Sequence, residues 1–190
     1  MTPPSIDVRA ISPDLLDDFL AFFDHEAFAD NPKWASCYCQ CMYVDHSKVE
    51  WKSRTAHDNR AAACERIGTG RMQGLLAYRN GTPVGWCNAA PRRLLDAFAD
   101  EPDPDAAQLG QIVCFVVAKA HRRSGMATAL LQAACVHLKA QGLSIAEASP
   151  LKAPSNDAEA HEGPLSMYLA AGFAVHRTDE DGTVYVRRRL

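Results

Sequence analysis

Val117-Ala118-Lys119-Ala120-His121-Arg122-Arg123-Ser124-Gly125-Met126-Ala127-Thr128-Ala129-Leu130-Leu131 is the stretch that decides the fold. Upstream, Gln111 to Val117 is a nearly continuous apolar, β-branched run, the pattern of a central strand buried on both faces. Downstream, Ala127, Leu130, Leu131, Ala134, Cys135 and Leu138 share one face of a helix that Gly142 ends. A buried strand thus passes through a tight turn straight into a helix. Small residues there let the backbone approach a ligand closely, and free N–H groups at the helix start point outward together. That combination is a pre-organised anion site suited to a pyrophosphate. Arg122, Arg123 and the Thr128 hydroxyl add charge and hydrogen bonds. Taken alone, the same residues also fit an ordinary strand-to-helix turn with exposed arginines.

Working outward, Ile6, Val8 and Ala10 alternate as a short strand, and Ser12-Pro13-Asp14 opens a helix with Leu15, Leu16, Phe19, Leu20, Phe22 and Phe23 facing a core. Asp30-Asn31-Pro32 breaks it. The capping-box form Ser47-Lys48-Val49-Glu50 predicts a second helix from Ser47 to Ile67. Leu75 to Tyr78 and Val84 to Cys87 flank Asn80-Gly81, a hairpin signal. Pro91 to Gly110 reads as helical at first and then as an acidic, proline-rich loop. Beyond the central helix, Leu143 to Ala148 is a strand, followed by a Pro/Asp/Ala-rich loop and a helix from Leu165 to Ala171. Phe173 to His176 and Thr183 to Val186 finish as strands. This order implies mixed α/β architecture around a largely antiparallel sheet.

With 190 residues, the chain fits one domain that buries roughly 70% of its extended surface. Its 20 basic and 23 acidic residues leave a net charge of −3, which argues against a dedicated nucleic-acid binder. No apolar run approaches the ~20 residues that span a bilayer, and no secretory signal is visible at Met1 to Asp7, so a cytoplasmic, non-membrane protein is expected. The seven cysteines are odd in number and several lie in apolar patterns, so they read as free thiols.

Arg122-x-x-Gly125-x-Ala127 resembles the acyl-coenzyme A signature of the GNAT acetyltransferase superfamily, Gln/Arg-x-x-Gly-x-Gly/Ala, with alanine in the permissive last place. Ser166-Met167-Tyr168-Leu169-Ala170-Ala171-Gly172-Phe173 resembles that family's tyrosine-bearing helix with its Gly-Phe end. The likeness covers roughly Leu75 to the C-terminus. It implies a central sheet of six or seven strands with about four helices, and two splayed strands, Val113 to Val117 and Leu143 to Ala148, holding acetyl-CoA as co-substrate. Residues 1–70 would form a helical acceptor-side portion and 71–190 the acyl-CoA-binding portion of one domain spanning 1–190. The expected cofactor contacts are Val116, Val117, Arg122, Arg123, Ser124, Gly125, Met126, Ala127 and Thr128.

The resemblance makes Tyr168 the candidate general acid, since a phenol of pKa ~10 can protonate the departing thiolate. The glutamate that many relatives carry before the signature is missing from Gln111-Ile112-Val113-Cys114-Phe115, so that carry-over fails. Glu147 is the substitute base, because a charge inside Ile145-Ala146-Glu147-Ala148 is costly unless used or paired; the alternatives are solvent exposure, or His161, Glu162 or water as base. Deprotonating a lysine-like amine at pH 7 costs about 4–5 kcal/mol and an α-amine about 1 kcal/mol, so the need for a base depends on the acceptor.

Trp34 to Tyr43 carries Cys37, Cys39 and Cys41 at alternate positions. A second ligand pair for structural zinc is absent, and no metal is expected. The segment is read as lining the acceptor cleft, with Trp34, Cys37, Tyr38, Cys39 and Trp86 shaping the pocket and Asn88 a polar contact. The expected activity is acetyl transfer to a small-molecule amine, a protein N-terminus or a lysine, without nucleic-acid or membrane partners; a homodimer through exposed terminal strands is left open. The rivals are a non-catalytic acyl-CoA sensor of the same fold and a metal or redox module built on the three cysteines.

Overall fold

The computed structural model describes residues 5–151 and 160–190. Among them, seven strands form one sheet: β1 (Asp7–Ala10), β2 (Leu75–Arg79), β3 (Thr82–Pro91), β4 (Leu109–Val117), β5 (Ile145–Ala148), β6 (Ala174–Thr178) and β7 (Val184–Arg189). Their spatial order is β1-β2-β3-β4-β5-β7-β6, antiparallel throughout except β4–β5. The helices are α1 (Leu16–His25), α2 (Ala56–Gly68), α3 (Met126–Ala140) and α4 (Leu165–Ala170). This is the mixed α/β, largely antiparallel architecture that the element order implied. No described helix is long and apolar enough to cross a membrane. The Pro/Asp/Ala-rich loop falls largely on residues 152–159, outside the described residues.

Two cores sit on opposite faces of the sheet. On one, Leu130, Leu131, Ala134 and Leu138 of α3 pack with Tyr168 and Phe173 against Cys87, Ile112, Phe115 and Ala146. On the other, Phe19, Phe22 and Phe23 of α1 meet Trp86, Tyr38, Tyr43 and Val116. Phe19 and Phe23 both lie edge-on to Trp86, at centroid distances of 5.1 and 6.1 Å. The hairpin between β2 and β3 forms as its Asn-Gly pair demands, with φ of 53° at Asn80 and 80° at Gly81. Gly74 leaves room for this packing: a Cβ there would run into the Cys87 carbonyl and the Trp86 ring. Gly74→Ala is therefore expected to cost about 3 kcal/mol, read from the urea midpoint, because backbone and a fully buried indole cannot both yield.

The second helix starts later than its first capping-box pattern suggested. Ser47 is drawn into a turn by Asp45, whose Oδ1 accepts from both the Ser47 N–H (2.9 Å) and its hydroxyl (2.6 Å). The box that operates is Thr55 with Asp58, so α2 begins at Ala56. The segment after β3 forms two single 3-10 turns, Arg92–Leu94 and Asp96–Phe98, where a longer helix was expected. The cysteine run folds as a series of tight turns. Tyr38 and Cys39 both take left-handed backbone, with φ of 43° and 55°.

One departure from regular pairing positions the site. β4 pairs with β5 only through Leu109–Ile145, Gly110–Ala146 and Gln111–Glu147. β5 ends at Ala148, and Pro150 carries no N–H with which to continue the ladder. Among the described residues, no strand pairs with the β5-facing edge of β4 from Ile112 to Val117. On its other edge, β4 meets β3 with one extra residue, Val113, between the Asn88–Cys114 and Ala89–Ile112 partners, a bulge that bends the strand.

Candidate functional site

The open edge of β4 leads into a cleft of about 430 Å³. Its floor is Phe115, Val116 and Val117; one end is Arg122, Arg123, Gly125, Met126, Ala127 and Thr128. Facing walls come from the segment after α1 (Ala27, Phe28, Asn31, Trp34) and from the 3-10 turn Ala160–Glu162 with Gly163, Pro164 and Met167. The volume suits an extended organic ligand.

The glycine-containing turn is built as an anion cradle. Arg123 and Gly125 adopt positive φ, 58° and 82°, and α3 starts directly after Gly125 with no side-chain cap. The free N–H groups of the helix's first turn therefore remain available to a ligand. Ser124 is not a lining residue; its hydroxyl donates to the His121 carbonyl at 2.6 Å and closes the turn. Arg122 is committed elsewhere. Its guanidinium grips Asp30 through two hydrogen bonds, 2.7 and 2.8 Å, and its Nε donates to the Val117 carbonyl at 3.0 Å. The Asp30 carboxyl lies below the usual range because Arg122 donates to it, so the pair contributes stability above about pH 4 and loses it as pH falls further. Arg122 thus braces the segment after α1 against the turn, and Arg123 and Thr128 are the other polar side chains that line this end.

Glu147 is not brought to the cleft. It is 1% exposed and lies where β4 and β5 are still paired, its Oε1 accepting from Gln111 Nε2 at 2.6 Å and its Oε2 from Arg187 Nε at 2.5 Å. Arg92 stands 3.7 Å away, and Arg187 also binds Asp103 and Asp105. The buried carboxylate clamps a polar cluster, the paired alternative to use as a base.

Tyr168 is fully buried between Phe115 and Phe173, with ring centroids 6.4 and 5.2 Å away, and its hydroxyl donates to the Glu162 carbonyl at 3.0 Å. Burial raises its pKa well above 10, and its ring lies behind the lining residues Gly163 and Met167. It holds the Ala160–Glu162 turn in place.

Of the acceptor-side residues expected from sequence, Trp34 lines the cleft, edge-on to His161 at 4.8 Å. Tyr38, Cys39, Trp86 and Asn88 are buried beneath it, and Cys37 lies outside the lining. The Tyr38 hydroxyl donates to Asp24 at 2.6 Å, which together with burial pushes its pKa up to about 12. Asn88 Nδ2 donates to Cys39 Sγ at 3.5 Å. A hydrogen bond from the Cys114 thiol holds Cys39 below the usual thiol range, while Cys114 is raised by the same contact and by burial. Burial likewise lifts Cys37 to about 12. The left-handed backbone at Tyr38 and Cys39 buries the Cys39 thiol, off the wall it was expected to form, while Cys37 is half-buried. Sequence reasoning missed Ala27, Phe28 and Asn31; the one local sign was the Asn31-Pro32 pair at the helix break, which reads as a turn start.

Residues 31–161 match the model of the acetyltransferase (GNAT) family. No curated protein matches in sequence. Solved structures share the fold at low identity. An N-acetyltransferase from Staphylococcus aureus is 17% identical with a TM-score of 0.59, covering 97% of this chain and 98% of that one. The PaiA N-acetyltransferase of Thermoplasma acidophilum, solved with coenzyme A, is 13% identical with a TM-score of 0.55, covering 98% and 99%. A ribosomal-protein-alanine N-acetyltransferase from Brucella melitensis is 14% identical with a TM-score of 0.56, covering 97% and 99%. The parted strands and the cradle at the start of α3 thus stand within a matched region of well over half the chain, and the chain belongs to the GNAT acetyltransferase family.

Proposed function

We propose that the protein transfers acetyl from acetyl-CoA to an amine by direct attack. The observation that carries this reading is continuity: the open edge of β4 and the uncapped start of α3 border a single cleft. The diphosphate would meet the amides of the first turn of α3 with Arg123 and Thr128. The pantetheine arm would pair with the edge of β4 from Ile112 to Val116 that β5 leaves, and the thioester would lie toward Trp34 and the Ala160–Glu162 turn.

The amine nitrogen forms a bond to the acetyl carbon as the C–S bond breaks; the nitrogen sheds a proton and the sulfur gains one. Among the described residues lining the cleft, His161 carries the side-chain type that exchanges protons near neutral pH. Beside it, burial pushes the Glu162 carboxyl up, opposed by His161. His161 is thus the favoured group to take the amine proton, directly or through water. Tyr168 as acid has less support, since its hydroxyl already donates to the Glu162 carbonyl.

The test is a panel of amines assayed by free thiol release from acetyl-CoA. His161→Gln is expected to lower kcat by about a hundredfold or more. Tyr168→Phe, which removes one neutral hydrogen bond, is expected to lower kcat less than tenfold; a loss of a hundredfold or more would restore its acid role. Failure of every amine in a broad panel to release thiol above background would sink the enzymatic reading in favour of a sensor.

A further inference from the structure

Asn31 occupies the N-cap of the 3-10 turn Pro32–Trp34, where an asparagine ordinarily folds its side chain back onto a free N–H of the turn. Here it makes no such bond. Only its backbone is used, accepting from Trp34 N at 3.1 Å and donating to the Phe28 carbonyl at 2.9 Å. The residue is 8% exposed and lines the cleft between Phe28 and Trp34. No described residue hydrogen-bonds its carboxamide. A nearly buried carboxamide that no described residue satisfies is available to a partner, and the cleft it lines is the side on which one can arrive.

Its surroundings specify that partner. The adjoining lining residues, Ala27, Phe28 and Trp34, carry no charge, and the nearby Arg122 guanidinium is already taken by Asp30. The same ion pair fixes the residue next to Asn31 to the start of the cradle, so the carboxamide is presented on a braced segment. A carboxamide offers an N–H donor and a C=O acceptor side by side, complementary to the C=O and N–H of another amide.

We infer that Asn31 recognises an amide group of the molecule bound in the cleft. This rests on the acetyl-CoA reading above and extends it. Such an amide has two sources: the pantetheine arm of the carrier, or an acceptor whose amine neighbours an amide, as at a peptide N-terminus.

Calorimetry on the wild type, Asn31→Ala and Asn31→Ser separates them. The probes are coenzyme A and its arm-less nucleotide, adenosine 3′-phosphate 5′-diphosphate. Alanine amide and isopropylamine are then titrated onto coenzyme A-loaded protein. Both variants are expected to weaken one amide-bearing probe by about 5- to 20-fold and leave its amide-free counterpart unchanged. Loss on coenzyme A but not the nucleotide assigns the contact to the pantetheine arm. Loss on alanine amide but not isopropylamine assigns it to the acceptor. Because the side chain makes no cap bond, the thermal midpoint should barely move, and Asn31→Ser retains a capping residue if alanine perturbs the turn. Wild-type affinity of both variants for all four probes would overturn the assignment while leaving the acetyl-CoA reading intact. A wild type that ignores coenzyme A would overturn both.

Discussion

Ala127→Glu is expected to abolish coenzyme A binding while leaving the protein folded. Ala127 lies in the first turn of α3, partly exposed and lining the cleft where the free N–H groups converge. A carboxylate there would satisfy those amides itself and face the diphosphate. Two unit charges about 4 Å apart at an effective dielectric of 20 repel by about 4 kcal/mol, close to a thousandfold in affinity. Helix propensity does not oppose the change, because an acidic residue in a first turn is favourable. The expected result is thus a dissociation constant raised at least a hundredfold by calorimetry, with a thermal midpoint within a few degrees of the wild type, since Ala127 also packs against the core at its partly buried side. Unchanged affinity would mean that the diphosphate does not sit at the start of α3.

Glu147→Ala is expected to produce the largest loss of stability. Removing the carboxylate leaves Gln111 Nε2 and Arg187 Nε without the acceptor they share, inside a site where Glu147 is 1% exposed. Breaking a buried ion pair from one side costs about 3–5 kcal/mol, and in a chain of this size each kcal/mol lowers the midpoint by about 2–4 °C. A fall of roughly 6–20 °C follows, measured by scanning calorimetry. Below that transition, kcat per folded molecule should stay within a fewfold of wild type, since the carboxylate does not reach the cleft. A kcat loss of a hundredfold with the midpoint unmoved would instead return Glu147 to the role of base.

How much of this was readable in advance depended on how far apart the deciding partners lie. Asn80-Gly81 fixes its own turn through the φ values it tolerates, and the apolar face of α3 is written in its spacing, so both appear in the sequence. The cradle at Gly125 is similarly local. Two capping boxes of the same form compete between Ser47 and Asp58, and only the side chain of Asp45, two residues before Ser47, decides between them. Alternating Cys37, Cys39 and Cys41 imitate a strand, but buried partners such as Asn88, 49 residues away, favour left-handed turns. Arg122 carries the family signature yet binds Asp30 across 92 residues, and Arg187 reaches Glu147 across 40. Pairings at that separation leave no periodic trace. For the same reason, Glu147 reads in the sequence as a candidate base, its cationic neighbours being out of view.

The three residue pairs joining β4 and β5, with the Glu147–Arg187 cluster locked at the last pair before the strands part, act as the pivot of a fixed wedge. The separation of the two strands is part of the fold itself. A thioester entering along Ile112 to Val117 breaks no ladder hydrogen bonds, so capture should proceed as one concentration-dependent step without a preceding opening phase.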